Sequence, residues 1–289
     1  MTHFELWMNV TPIPLIALIL VVAMLLAALL GGWMGRRRRR DAPPDAPDDD
    51  DTQEGFIISA VLGLLALLLG FTFALAVDRY DARRVLVLDE ANAIGTSYLR
   101  AQLLEEPHRS RMSGILLDYT VNRVDLGQAP SASHRAPLLK RNDQLIQDLW
   151  SATAASFDTV RGLDFSTSLL ETVNAVVDFD SARKTARFAR VPVAVFVVLF
   201  LYVLATSGML GYMTRTARNM GHTAVFIGLL VMSLLLIVDI DGPTTGWIRE
   251  SQFPMQMLKD TLQRTPPGTY DQWRSPPFAA PPPKAAEAR

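Results

Sequence analysis

The sequence predicts an all-α integral membrane protein with four transmembrane helices and a helical extramembrane bundle between the second and third of them. Three observations predict this. The apolar residues, 49% of the chain, gather in long uncharged blocks. A helix needs roughly 20 apolar residues to cross about 30 Å of hydrocarbon, and three blocks reach that length while a fourth comes close. Between the second and third blocks, apolar residues recur at helical spacings of three and four.

The first block, Ile13 to Met34, has no charge in 22 residues and makes 1–35 the first span. A cleaved signal peptide fits it poorly. Its leading segment, Met1 to Pro12, has no Lys or Arg, and the apolar run exceeds the roughly 7–15 residues of a signal core. Residues 36–54 form a charged, Pro-rich linker: Arg36 to Arg40, then Asp41, Asp45, Asp48 to Asp51 and Glu54, broken by Pro43, Pro44 and Pro47. The arginines read as a topology anchor in preference to a lipid-binding patch. The aspartates lack the mid-loop glycine and ligand spacing of a calcium loop.

The second block, Gly55 to Val77, is uncharged over 23 residues. Residues 78–190 then read as an extramembrane helical domain. Val87, Ala91, Ile94, Tyr98 and Ala101 form an apolar seam. Pro107 suits the first turn of a second helix, with Met112, Ile115, Leu116 and Tyr119 on one face. Gly127 to Pro137 reads as a loop. A third helix carries Leu138, Leu145, Ile146 and Leu149, and a fourth carries Leu169, Leu170, Val173, Val176 and Val177. Each has one apolar side, the pattern of helices that pack together.

The third span, Val191 to Met213, is uncharged over 23 residues. The fourth, 223–240, has only 16 uncharged residues from Thr223 to Val238 and reaches spanning length with His222 or Asp239 at an interface. The tail 263–289, rich in proline, reads as disordered.

Charged residues are 20% of the chain, below the soluble average of about 25%. The net charge of −1 offers no field for nucleic acid. With no cysteine, thiolate metal sites and a cysteine nucleophile are excluded. The four histidines, His3, His108, His134 and His222, have no metal-ligand spacing, and no phosphate loop, dinucleotide fingerprint or nucleophile elbow occurs. No enzyme, cofactor or metal is therefore expected. The partner expected from the four spans is the lipid bilayer. Arginines in short loops mark the cytoplasmic side. The five after the first span, with Arg215 and Arg218, place 78–190 on the other side of a cell membrane.

The second span and its exit read Leu67-Leu68-Leu69-Gly70-Phe71-Thr72-Phe73-Ala74-Leu75-Ala76-Val77-Asp78-Arg79-Tyr80-Asp81-Ala82-Arg83-Arg84. The chain continues Asp89-Glu90-Ala91-Asn92-Ala93-Ile94-Gly95-Thr96-Ser97-Tyr98-Leu99-Arg100, and the last span runs into Asp239-Ile240-Asp241-Gly242-Pro243 before Ser251 to Pro254. Over roughly 55–260 this resembles the bestrophin-like domain family of bacterial membrane proteins and, more distantly, the bestrophin anion channels. The resemblance implies an oligomer in the bacterial inner membrane that passes inorganic anions through an apolar neck on the second span. The matching neck positions are Gly63, Leu67 and Phe71, which share one helix face. Gly63 departs from a bulky lining. The acidic calcium clasp of animal bestrophins has no match beyond Asp239 and Asp241. The resemblance also puts the large helical region in the cytoplasm, against the arginine count.

At the span exit, Arg79 and Arg83 are candidates for an anion vestibule, against the plainer reading of interfacial anchoring. Asp89, Glu90 and Asn92 are expected to join a structural network. The alternative to a channel is a non-conducting scaffold or sensor whose helical domain binds a partner or signal.

Overall fold

The structure, a computed structural model, describes residues 11–41, 49–214, 217–242 and 246–273. Residues 42–48 of the linker, Arg215 and residues 274–289 of the tail lie outside the described residues. The described residues form α1 (Ile13–Asp41), α2 (Asp49–Ala101), α3 (His108–Gln128), α4 (Ala132–Val160), α5 (Phe165–Ala186), α6 (Val193–Met213), α7 (Ala217–Asp241) and α8 (Phe253–Arg264), then a 3₁₀ turn at Asp271–Trp273. There is no strand among them.

Four helices are long and apolar enough to span a bilayer: Ile13–Arg38, Gly55–Ala101, Val193–Met213 and Gly221–Asp241. Only 17% of the apolar window of each of the first two is buried within the chain. The fourth gains spanning length because its helix starts at Ala217, ahead of His222.

The chain divides into two units, Met1–Val85 with Arg183–Glu250, and Leu86–Ala182 with Ser251–Arg289. In the first, Ile16, Leu20 and Met24 of α1 form a core with Leu65 of α2, Leu199 and Val203 of α6, and Ile227, Leu230 and Leu234 of α7. Small residues set how closely α1 and α6 approach. A Cβ on Gly31 would lie 1.9 Å from the Gly208 carbonyl oxygen, and one on Gly211 would lie 1.9 Å from that of Ala28. Any side chain at either position would hold the two backbones apart, and its absence gives the packing that small residues permit between membrane helices.

In the second unit, the seam Val87, Ala91, Ile94, Tyr98 and Ala101 is buried as its spacing predicts. Its core continues through Met112, Leu116 and Tyr119 of α3, Leu145 and Leu149 of α4, Leu169, Val173 and Val176 of α5, and Met255 and Leu262 of α8.

The structure differs from the sequence reading in four places. α2 runs unbroken from Asp49 to Ala101, so no helix end separates a span at 77 from a domain at 78. The charges after Val77 are compatible with helix, and only the solvent they face changes. The arginines after the first span likewise continue α1 as far as Asp41; arginine is a good helix former. The loop expected over Gly127 to Pro137 shrinks to 129–131, with Pro137 inside α4. That proline lies in the second turn and removes one backbone hydrogen bond, while Ser131 caps the first turn by accepting from the His134 N–H. Finally, residues 263–273 of the tail fold against the chain. Tyr98 donates to the Thr265 carbonyl at 2.6 Å, and the Gly268 N–H donates to Gln102 at 3.1 Å.

Candidate functional site

The α2 residues 55–77 divide into two faces. Ile58, Leu65, Thr72 and Ala76 are buried, at spacings of seven, seven and four, and dock α2 onto its own unit. The Thr72 hydroxyl donates to the Leu68 carbonyl at 2.7 Å, so its polar group is satisfied within the helix. Gly63, Leu67 and Phe71 stand on another face, where Leu67 is 54% and Phe71 62% exposed. No atom lies within 4 Å of where a Cβ on Gly63 or Gly70 would be. The three positions singled out in sequence thus share an apolar face that nothing among the described residues covers.

Where the spans end, buried polar contacts tie α2 and α7 to the chain around them. Arg83, 5% exposed, pairs with Glu250 at 2.6 Å and donates from Nη2 to the Ile240 carbonyl at 2.9 Å. Its Nη1 has no hydrogen-bond partner among the described residues. Arg79, one turn earlier, is half-buried, and its Nε has no hydrogen-bond partner among the described residues. Asp239 accepts from the Trp247 N–H at 2.8 Å and the Ile248 N–H at 3.2 Å. Gly246 is required there, since a Cβ would come within 2.0 Å of the Asp239 carboxylate. Asp241 accepts from the Val191 N–H at 3.0 Å. Both carboxylates are buried acceptors of backbone N–H groups, a tighter role than hydration at a membrane edge. No group of three or more metal-ligating side chains occurs among the described residues.

Of Asp89, Glu90 and Asn92, the structure draws only Glu90 into a network; Asp89 is half-buried and Asn92 exposed. Glu90, fully buried, accepts from Arg123 Nη2 at 3.0 Å and from the Tyr119 hydroxyl at 2.6 Å. Arg123 also reaches Asp180 at 3.4 Å and Asn142 at 3.3 Å, and Asn142 donates to Asp180 at 2.8 Å. Four helices, α2 to α5, each contribute a polar side chain to the centre of this bundle. Burial pushes the Tyr119 phenol well above its ordinary pKa, so it stays a donor. Burial opposes the charge on Arg123, but Tyr119, Glu90 and Asp180 outweigh that and raise its pKa. The sequence holds a signal for the partners as well. Arg123 follows Leu116 and Tyr119 by seven and four, Asn142 precedes Leu145 and Leu149 by three and seven, and Asp180 follows Val173 and Val176 by seven and four. Each is a polar residue on an apolar face.

A model of the Bestrophin-like domain matches residues 20–251. No curated protein matches the sequence. Among solved structures, the chain is similar to a bacterial bestrophin homologue from Klebsiella pneumoniae that carries a tryptophan-to-alanine mutation. Identity is 15% and the TM-score 0.55, over 87% of this chain and 96% of that one. It is also similar to a membrane protein that carries a proline-to-alanine mutation, with 15% identity and a TM-score of 0.55 over 91% of this chain and 99% of the other. At this identity the likeness is one of fold.

Proposed function

The chain belongs to the bestrophin-like domain family, and from that premise we propose that it is an oligomeric anion channel of the bacterial inner membrane, with second spans gathered round an axis and Leu67 and Phe71 forming its neck. The observation that carries this is the uncovered apolar face of α2, on which Gly63, Leu67 and Phe71 fall together while the docking face of the same helix is buried. A ring of such faces makes an apolar constriction, which gates by dewetting. Gly63 leaves one end of that constriction wide. At the span exit, Arg79 and Arg83 are the cations that would raise the local concentration of inorganic anions. No catalytic role is assigned to any residue.

The absence of cysteine permits a clean test. A Leu67→Cys chain in membranes is expected to form disulfide-linked subunits on mild oxidation, because neck residues of neighbouring copies face one axis. Leu18→Cys, on the 59% exposed face of the first span, is expected to stay largely unlinked. Equal linking of the two, or none at position 67, would remove α2 from the axis and favour a non-conducting scaffold.

A further inference from the structure

The close crossing of α1 and α6 leaves space beside it. Gly31 and Gly208 meet backbone to backbone, and with Ala205 they floor an apolar trough of about 510 Å³. Ile57 of α2 and Met209 of α6 form its sides. Its volume lies in the range of ordinary ligand sites, roughly 300–1,000 Å³. Leu30 and Met34, which also border it, are more than half exposed, so the trough opens outward.

One end of the trough has the chemistry of a headgroup layer. Tyr212 lines it, and its hydroxyl accepts from Arg38 Nη1 at 2.8 Å. The Arg37 guanidinium lies 5.3 Å from the centroid of the exposed Trp33 ring. Arg37 and Arg38 are exposed on the last turns of α1, while Arg36 lines a separate pocket with Gly32 and Gly211. Tryptophan and tyrosine collect where hydrocarbon meets water, so the trough runs from that boundary into the acyl layer. An apolar trough at that depth suits an acyl chain, and the cations at its mouth suit a phosphate. Both of those cations are held in place by aromatic partners. Each arginine near a membrane surface adds to the attraction of acidic lipid.

We propose that the trough between α1, α2 and α6 is a binding site for one anionic phospholipid of the surrounding bilayer. An acyl chain lies over Gly31 and Gly208, and the phosphate rests against Arg37 and Arg38. The arginines after the first span then hold a lipid as well as orienting the chain. This inference stands apart from anion conduction and uses no residue of the neck.

Native mass spectrometry of the full chain, equilibrated in micelles with equal phosphatidylglycerol and phosphatidylcholine, tests it. The wild type is expected to retain phosphatidylglycerol over phosphatidylcholine by on the order of tenfold. Ala205→Phe fills the trough from an exposed position and is expected to lose most of the retained lipid. Replacing Arg37 and Arg38 together by Gln alters only exposed positions, and is expected to keep a lipid but lose the preference. Equal retention of both lipids by the wild type would overturn the proposal. So would wild-type lipid retention by Ala205→Phe. A changed subunit number in that variant with lipid unchanged would also overturn it, by making the trough a contact between copies.

Discussion

Arg123→Met is expected to destabilise the helical bundle by about 3–5 kcal/mol, the cost of breaking a buried ion pair from one side. Arg123 is 2% exposed and answers two buried carboxylates, Glu90 at 3.0 Å and Asp180 at 3.4 Å. Methionine keeps much of the apolar volume of the arginine stem but removes the guanidinium that answers both carboxylates. The Tyr119 and Asn142 hydrogen bonds remain, and neither carries a charge. The measurement is thermal unfolding of the full chain in detergent, followed by circular dichroism. Glu90→Gln combined with Arg123→Met completes a double-mutant cycle, and a large coupling between the two positions is expected. A loss under about 1 kcal/mol for Arg123→Met, the range of exposed pairs, would mean that the pair is hydrated and not buried.

Gly31→Ala and Gly211→Ala are expected to be the most damaging single-methyl changes in the membrane unit, at about 3 kcal/mol or more, the upper end of overpacking costs. In each case the new Cβ would lie 1.9 Å from a carbonyl oxygen of the facing helix, so a backbone and not a flexible side chain must move. Gly208→Ala, at the same crossing, is the control. Its Cβ would lie 3.6 Å from the Ala27 carbonyl oxygen, an ordinary contact, and the variant is expected to behave as wild type. Melting temperature and the yield of monodisperse protein in detergent separate the three. Similar behaviour of all of them would mean that α1 and α6 stand further apart than described.

What the sequence revealed and what it hid follow from how local each determinant is. The four spans are legible because bilayer thickness imposes its length on contiguous residues. The seam from Val87 to Ala101 is legible because helical period writes itself into neighbouring positions. Pairings across the chain are not local. Arg83 finds Glu250 at a separation of 167 residues, and nothing in the Asp78–Arg84 stretch distinguishes the buried arginine from the exposed Arg84 beside it. Glu90 was half legible. It sits on the seam between Val87 and Ala91, where a carboxylate needs a buried partner, but the seam does not say which of the arginines supplies it. Pro137 misled because proline ends a helix in its middle but is tolerated near its start. The tail misled because proline content describes 266–289 as a whole, while Tyr98, Gln102 and Arg109 anchor its first part, Arg109 through Asp271.

The neck face belongs to a third kind of feature. Its apolar residues are legible one by one, yet an apolar residue on a span has the same composition whether it meets lipid, a neighbouring subunit or an ion path. The structure narrows this to a face that the described residues of the chain leave uncovered. Function must decide the rest.

Chloride flux into proteoliposomes, for the wild type and for Leu67→Ala combined with Phe71→Ala, tests the central claim most directly. The account predicts chloride flux in the wild type. It predicts a rise of roughly tenfold in the double variant, the effect of lowering a dewetting barrier by about 1.4 kcal/mol. No flux in either protein, at verified incorporation and across several pH values and calcium concentrations, would contradict it and leave a bestrophin-like membrane scaffold or sensor.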